Sequence, residues 1–204
     1  MKKHNATRII SAILIVAGLL VIYGWFCDST ILKSVRPGWV AMKTTTAMCF
    51  VLSGILLFIL SEYHSGYKHI DKSVAYIIAG SIIYTMGLFL LASIFGVQVG
   101  LEDFLITEPS NAVATAIPGR PSVSTMLTFL IFAISAVSAI RKPRKNVIKT
   151  SGWIIAAIGS VAVIGYLVNI PSLYYFMANV HTPMAFNTAV LFTLLGIGYA
   201  KLAK

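Results

Sequence analysis

Polar and apolar residues do not alternate along this chain. Instead, long apolar runs are separated by short polar stretches. Six runs stand out, at 9–26, 45–61, 74–95, 123–140, 152–168 and 185–200. A bilayer core takes roughly 20 helical residues to cross, and the shorter runs approach that length once neutral flanking residues are added. The runs are continuously apolar, whereas a membrane barrel needs alternating faces. The pattern therefore predicts an all-α integral membrane protein with six transmembrane helices.

The same residues recur along these helices. Met42–Ile55 and Met184–Ile197 share one register: Met42 with Met184, Thr46 with Thr188, Ala47 with Ala189, Phe50 with Phe192, Leu52 with Leu194, Gly54 with Gly196 and Ile55 with Ile197. A worn copy falls at 120–134, with Thr125, Phe129, Ala133 and Ile134 on the matching positions but Pro121 in place of Met and Met126 in place of Ala. Upstream, Tyr23-Gly24-Trp25 before Asp28 resembles Ile164-Gly165-Tyr166 before Asn169, and Met86-Gly87-Leu88 is the expected middle copy. Fixed-period similarity is the signature of a repeat architecture. The expectation is one membrane domain, 1–204, of three two-helix units at about 1–65, 66–145 and 146–204. All three would insert in the same sense, as parallel repeats about an axis along the membrane normal. The fold class expected is a pseudo-threefold bundle.

Composition agrees with the pattern. The chain of 204 residues is 58% hydrophobic and 11% charged, under half the charged share of a soluble domain. Its net charge of +10 raises the question of nucleic acid, but no nucleic-acid-reading motif accompanies it. With six alternating helices, Lys2, Lys3, Arg8, Lys68, Lys72, Arg141, Lys142, Arg144, Lys145, Lys149, Lys201 and Lys204 fall on one side. Lys33, Arg36, Lys43 and Arg120 fall on the other. That is a positive-inside distribution, which predicts a multi-pass protein of the cell (plasma) membrane with both termini cytoplasmic. The first run is too long for a signal peptide and lacks a clean cleavage site, so it is expected to remain as a helix.

Candidate chemistry gathers where the motif begins. Thr44, Thr45, Thr46, Ser122, Ser124, Thr125, Asn187 and Thr188 stand at the starts of the even helices. One use is capping of orphan N–H groups. The other is a polar pocket where three positive helix ends meet, with Thr45, Thr46, Thr125, Asn187 and Thr188 as its walls. One turn deeper follow Phe50, Phe129 and Phe192, then Gly54, Ala133 and Gly196. This is a stripe suited to close helix packing. Trp39, Tyr174, Tyr175 and Phe176 are expected at headgroup level.

No catalytic constellation or cofactor motif is visible, so no enzyme activity and no cofactor are expected. No paired intramembrane carboxylates suggest a proton relay. His64 and His69 share an inner loop expected to be solvated. Met42, Met184 and His181 form the one set of soft ligands that could approach a metal such as copper. Cys27 and Cys49 lie at different depths and are expected to stay unbridged.

At Phe26–Leu57, and again at Asn169–Phe176 and Met184–Gly198, the chain resembles the N-terminal multi-helix membrane sensor region found before histidine kinase or GGDEF-type cyclase modules in bacteria and archaea. That resemblance implies signal input across the membrane. The sequence given stops at Lys204, just after the sixth run, without a kinase or cyclase module. The expectation is thus a membrane-embedded signal-input module, natural or a fragment, acting through a cytoplasmic or membrane partner protein. An accessory subunit of a larger membrane complex and a small-molecule carrier along the bundle axis are the alternatives. The lipid bilayer itself is the other expected partner, and nucleic acid is not one.

Overall fold

The computed structural model describes residues 5–65, 72–103, 105–109, 112–175 and 182–203. Among them there are helices and turns but no strand. Seven α-helices are formed: α1 Asn5–Phe26, α2 Thr30–Ser34, α3 Thr44–His64, α4 Lys72–Phe95, α5 Val123–Arg141, α6 Lys145–Leu167 and α7 Phe186–Lys201. Single 3-10 turns cover Leu101–Asp103 and Pro171–Leu173. The end of the bundle that carries the connections between α1 and α3, α4 and α5, and α6 and α7 is called the long-loop end below.

α1, α4 and α6 stop in the same way. Asp28, Gly96 and Asn169 have φ of 52°, 68° and 56°, a left-handed region that Gly enters freely and Asp and Asn tolerate. The N–H of the next residue then donates back to the last helical turn, Ser29 to Gly24 O at 2.8 Å, Val97 to Ala92 O at 3.0 Å and Ile170 to Gly165 O at 2.8 Å. This is the Schellman stop, which satisfies a carbonyl that would otherwise be orphaned close to lipid.

Helices pair as α1 with α3, α4 with α5, and α6 with α7, and each pair touches the next: α3 meets α4, α5 meets α6, and α7 meets α1. The circuit is closed. α3 and α5 lie deeper, with 67% and 56% of their apolar windows buried, against 33%, 28% and 33% for α1, α4 and α6. α7 is also largely buried. Two helix crossings are alike in atomic detail. A Cβ on Gly54 would lie 2.8 Å from Ser11 O, and one on Gly196 would lie 2.5 Å from Gly152 O. Across the same interfaces, Gly18 abuts Ala47 O and Gly159 abuts Ala189 O. Each crossing is therefore a contact of backbone on backbone, open only to glycine.

Among the described residues five helices, against the six crossings expected, are long and apolar enough to cross a membrane by themselves. α7 has 16 residues and rises about 24 Å, short of a core of about 30 Å. The middle counterpart of Gly24 and Gly165 is Ala92, where the Schellman bond falls, and not Gly87, whose missing side chain faces open space. Trp39 packs on Tyr166 and Phe186, each at 4.9 Å, and Tyr174 stacks on Tyr166 at 4.0 Å. Cys27 and Cys49 are both free thiols.

Candidate functional site

The repeated motif builds the floor of the long-loop end. Phe50, Phe129 and Phe192 are fully buried, and their rings meet pairwise at 4.8, 4.9 and 4.7 Å between centroids, tilted or edge to face. Aromatic quadrupoles favour such tilted contacts. Thr46, Thr125 and Thr188 stand one turn above these rings and are each 2% exposed. Ala133 is fully buried beneath Phe129.

Capping by the motif residues is realised only once. Ser122 is the N-cap of α5, and its hydroxyl accepts from Thr125 N at 3.1 Å. α3 and α7 start instead at Lys43 and Ala185, whose side chains make no cap bond. Thr44, Thr45 and Thr46 lie inside the first turn, and Thr45 Oγ1 is buried without a hydrogen-bond partner. Asn187 works between elements, since its Oδ1 accepts from Thr188 N and its Nδ2 donates to Lys33 O at 2.9 Å.

Above this floor the connection from α4 to α5 is held by two buried ion pairs. Lys43, at the start of α3, donates to both carboxylate oxygens of Glu108 at 2.5 Å and to Thr115 Oγ1 at 2.8 Å. Gly119 N completes the Glu108 carboxylate at 2.7 Å. Arg120 donates from Nη2 to Glu102 Oε1 and Val97 O, both at 2.5 Å, and from Nε to Glu102 at 3.2 Å. All four charged residues are 5% exposed or less. Burial pulls the Lys43 ammonium below its ordinary value against the opposing pull of Glu108. Burial pushes the Glu102 carboxyl up, but hydrogen bonds from Arg120 and from backbone N–H groups, its own and that of Val99, outweigh it and leave the group below the usual carboxylate value. Thr182 Oγ1 accepts from Ala116 N at 3.2 Å and ties the connection to the α6–α7 segment.

Sequence reasoning treated Lys43 and Arg120 as charges marking one side of the membrane and did not pair them. The available signal was that the one acid-rich loop faces two basic residues that sit directly before even helices.

The pairs flanking this connection close differently. Trp25 Nε1 donates to Met42 O at 2.8 Å, and Tyr166 Oη donates to Met184 O at 2.9 Å. Met42 N and Met184 N in turn donate to Lys33 O and Tyr174 O, both at 2.9 Å. Met42 and Met184 thus act through their backbones, with buried side chains. His181 and His69 lie outside the described residues. His64 Nδ1 lies 2.9 Å from Leu60 O. Among the described residues there is no cluster of three His, Cys, Asp or Glu suited to a metal.

In the middle pair the ring position is taken by Ser93, and a cavity of about 200 Å³ opens beside it. Ser93, Gly96, Ala116, Ile117, Arg120, Pro121, Val123 and Thr182 line it. A second, apolar groove of about 270 Å³ runs between α1, α2 and α7, with Leu20, Val21, Leu32, Val190 and Leu191 among its walls and Asn187 at its edge. Neither is lined by Thr45, Thr46, Thr125 or Thr188.

Among the described residues the protein is all-helical, and five of its helices are long and apolar enough to cross a membrane, the composition of a multi-pass membrane protein. Comparison with protein-family models, with curated proteins and with solved structures returns no match.

Proposed function

We propose that the chain is a membrane-embedded signal-input module that receives at its long-loop end and passes the change to a partner protein, without catalysis of its own. The observation that carries this reading is the Lys43–Glu108 pair, which clamps the α4–α5 connection onto the start of α3 directly above the buried ring cluster. The floor under the clamp is closed by the fully buried rings of Phe50, Phe129 and Phe192. A disturbance there has no path as mass transfer and is free to act only by moving helices. Packed cores shift between discrete arrangements, so small changes at a site can become helix displacements.

The same reading takes α7 as a sixth crossing, completed by flanking residues or a thinned bilayer, and the bundle as three parallel two-helix repeats about one axis. The recurring glycine crossings, Schellman stops and ring contacts support that symmetry. Both termini would then share the basic, cytoplasmic side of the plasma membrane.

The test is to loosen the clamp and look at the other end. In the full chain in lipid nanodiscs, Lys43→Met should raise amide exchange not only in 97–120 but also around 138–149 at the short-loop end. Exchange that changes at the long-loop end alone would overturn the reading. A second reading, an accessory subunit of a larger complex, is favoured by the apolar α1–α2–α7 groove, which suits an apolar partner helix. Leu20→Trp and Val190→Trp would block such a partner without touching the clamp. Loss of a co-purifying subunit with unchanged short-loop exchange would favour it.

A further inference from the structure

The cavity beside Ser93 sits where the other two pairs place an aromatic ring. The Schellman stops align Ser93 with Trp25 and Tyr166, and Gly96 with Asp28 and Asn169. The motif aligns Pro121 with Met42 and Met184, and Val123 with Thr44 and Phe186. Four of the cavity's lining residues are therefore the counterparts of a ring, its helix stop, the carbonyl it donates to and the first residue of the next helix. In the flanking pairs that ring carries one N–H or O–H to the Met42 or Met184 carbonyl. In the middle pair Ser93 instead donates to Phe89 O in its own helix at 2.8 Å. Among the described residues nothing donates to the Pro121 carbonyl.

A second observation points the same way. Arg120 is 3% exposed and lines the cavity, yet among the described residues its Nη1 has no hydrogen-bond partner. A buried donor without an acceptor is costly, and native proteins rarely leave one. The Arg120 charge is already matched by Glu102, so an anion would bring an uncompensated charge beside a buried, already balanced ion pair. A neutral occupant avoids this. The volume equals about seven waters at roughly 30 Å³ each, which is the scale of a single aromatic ring system.

We propose that this cavity binds a small neutral aromatic molecule bearing one hydroxyl or N–H group, in place of the ring that Trp25 and Tyr166 supply to the flanking pairs. The ligand's polar hydrogen would reach the Pro121 carbonyl, and a phenolic oxygen would also accept from Arg120. The walls of Gly96, Ala116, Ile117 and Val123 would take the ring faces. The proposal deepens the signal-input reading and rests on the long-loop end being the receiving end. Its test reads occupancy alone, so its failure is distinct from a failure to transmit.

The probes are p-cresol and indole, with toluene as the control lacking a polar hydrogen. Binding to the full chain in nanodiscs is measured by saturation-transfer NMR. The expected result is saturable binding of p-cresol or indole, with toluene about fivefold weaker or more, the value of one net hydrogen bond. Ser93→Tyr and Val123→Phe fill the cavity from opposite walls, and each should abolish binding and raise the thermal midpoint. Absence of saturable binding, equal binding of toluene, or unchanged binding in both filled variants would overturn the proposal. If neither variant folds, photolabelling of the unaltered chain by a diazirine phenol decides. Label within 92–97 and 116–123 supports the site, and label elsewhere refutes it.

Discussion

The flanking helix pairs and the middle pair solve one problem in two ways. In α1–α3 and α6–α7 the long-loop end is closed by buried neutral hydrogen bonds: a ring donates to a methionine carbonyl, and the methionine N–H donates back into the preceding connection. The Asp28–Lys33 ion pair of the α1–α3 connection lies at the surface. In α4–α5 the ring is gone, Gly54 and Gly196 have Ala133 as counterpart, and closure is by two buried ion pairs spanning a longer connection. A neutral closure has little to lose when one partner is disturbed. A buried ionic one is strong only while complete, since removing one charge strands the other. The middle pair is therefore the place where a small event has the largest structural consequence.

The largest test of this contrast is Glu108→Ala. It leaves the Lys43 ammonium buried and unpaired, and the loss of stability should be about 3–5 kcal/mol in denaturant titrations of the detergent-solubilised protein. The double variant Lys43→Met, Glu108→Leu should recover most of it. A double variant as unstable as the single would show that the ion pair is not what holds the connection. Next comes Gly196→Ala, which forces a methyl against the α6 backbone at Gly152 and Ala156. Overpacking of this kind costs about 1–3 kcal/mol. Gly54→Ala should behave alike against α1, and unequal effects would break the equivalence of the flanking pairs.

A smaller loss, about 1 kcal/mol, is expected for Tyr166→Phe, which removes only the donor to Met184 O. Ser93→Ala should be close to silent, since Ser93 bonds only within its own helix. Acid acts on the same connection. Glu102 has its folded value below the unfolded 4.5, so its contribution is present above that pH and is lost as pH falls through the folded value. Amide exchange in 97–120 should rise below about pH 4.5, while the protection of Ile170, whose stop at Asn169 carries no titratable side chain, stays level. Equal loosening at Val97 and Ile170 would remove the contrast.

Much of the architecture was legible in the chain. The apolar runs coincide with α1 and α3 to α7, and the Thr-Phe-Gly stripe led to rings that meet one another. It was legible because both facts depend on local period and on identity at fixed spacing. The middle copy upstream was misplaced at Gly87 because composition draws the eye to a shared Gly, while the structure keeps the backbone stop, which Ala92 and Gly96 provide as well. α2 was not foreseen either. Its five residues carry no period to detect.

The candidate site was less legible. Thr46, Thr125 and Thr188 were found as buried positions above the ring cluster, but the cavity lies behind them, at Ser93 and Arg120. No local pattern marks it, because it is the absence of a ring that two other units possess, and an absence is visible only once the units are aligned in space.

The sequence by itself determined the solvent, the helices and the repeating face, since lipid demands continuous apolar helices and close crossings demand small residues at fixed intervals. Only the tertiary structure decided which charges are buried together and where the cavity opens. Lys43 and Glu108 stand 65 residues apart. Whether two such groups meet depends on how the α4–α5 connection folds back over the bundle, a long-range choice that residue type does not encode.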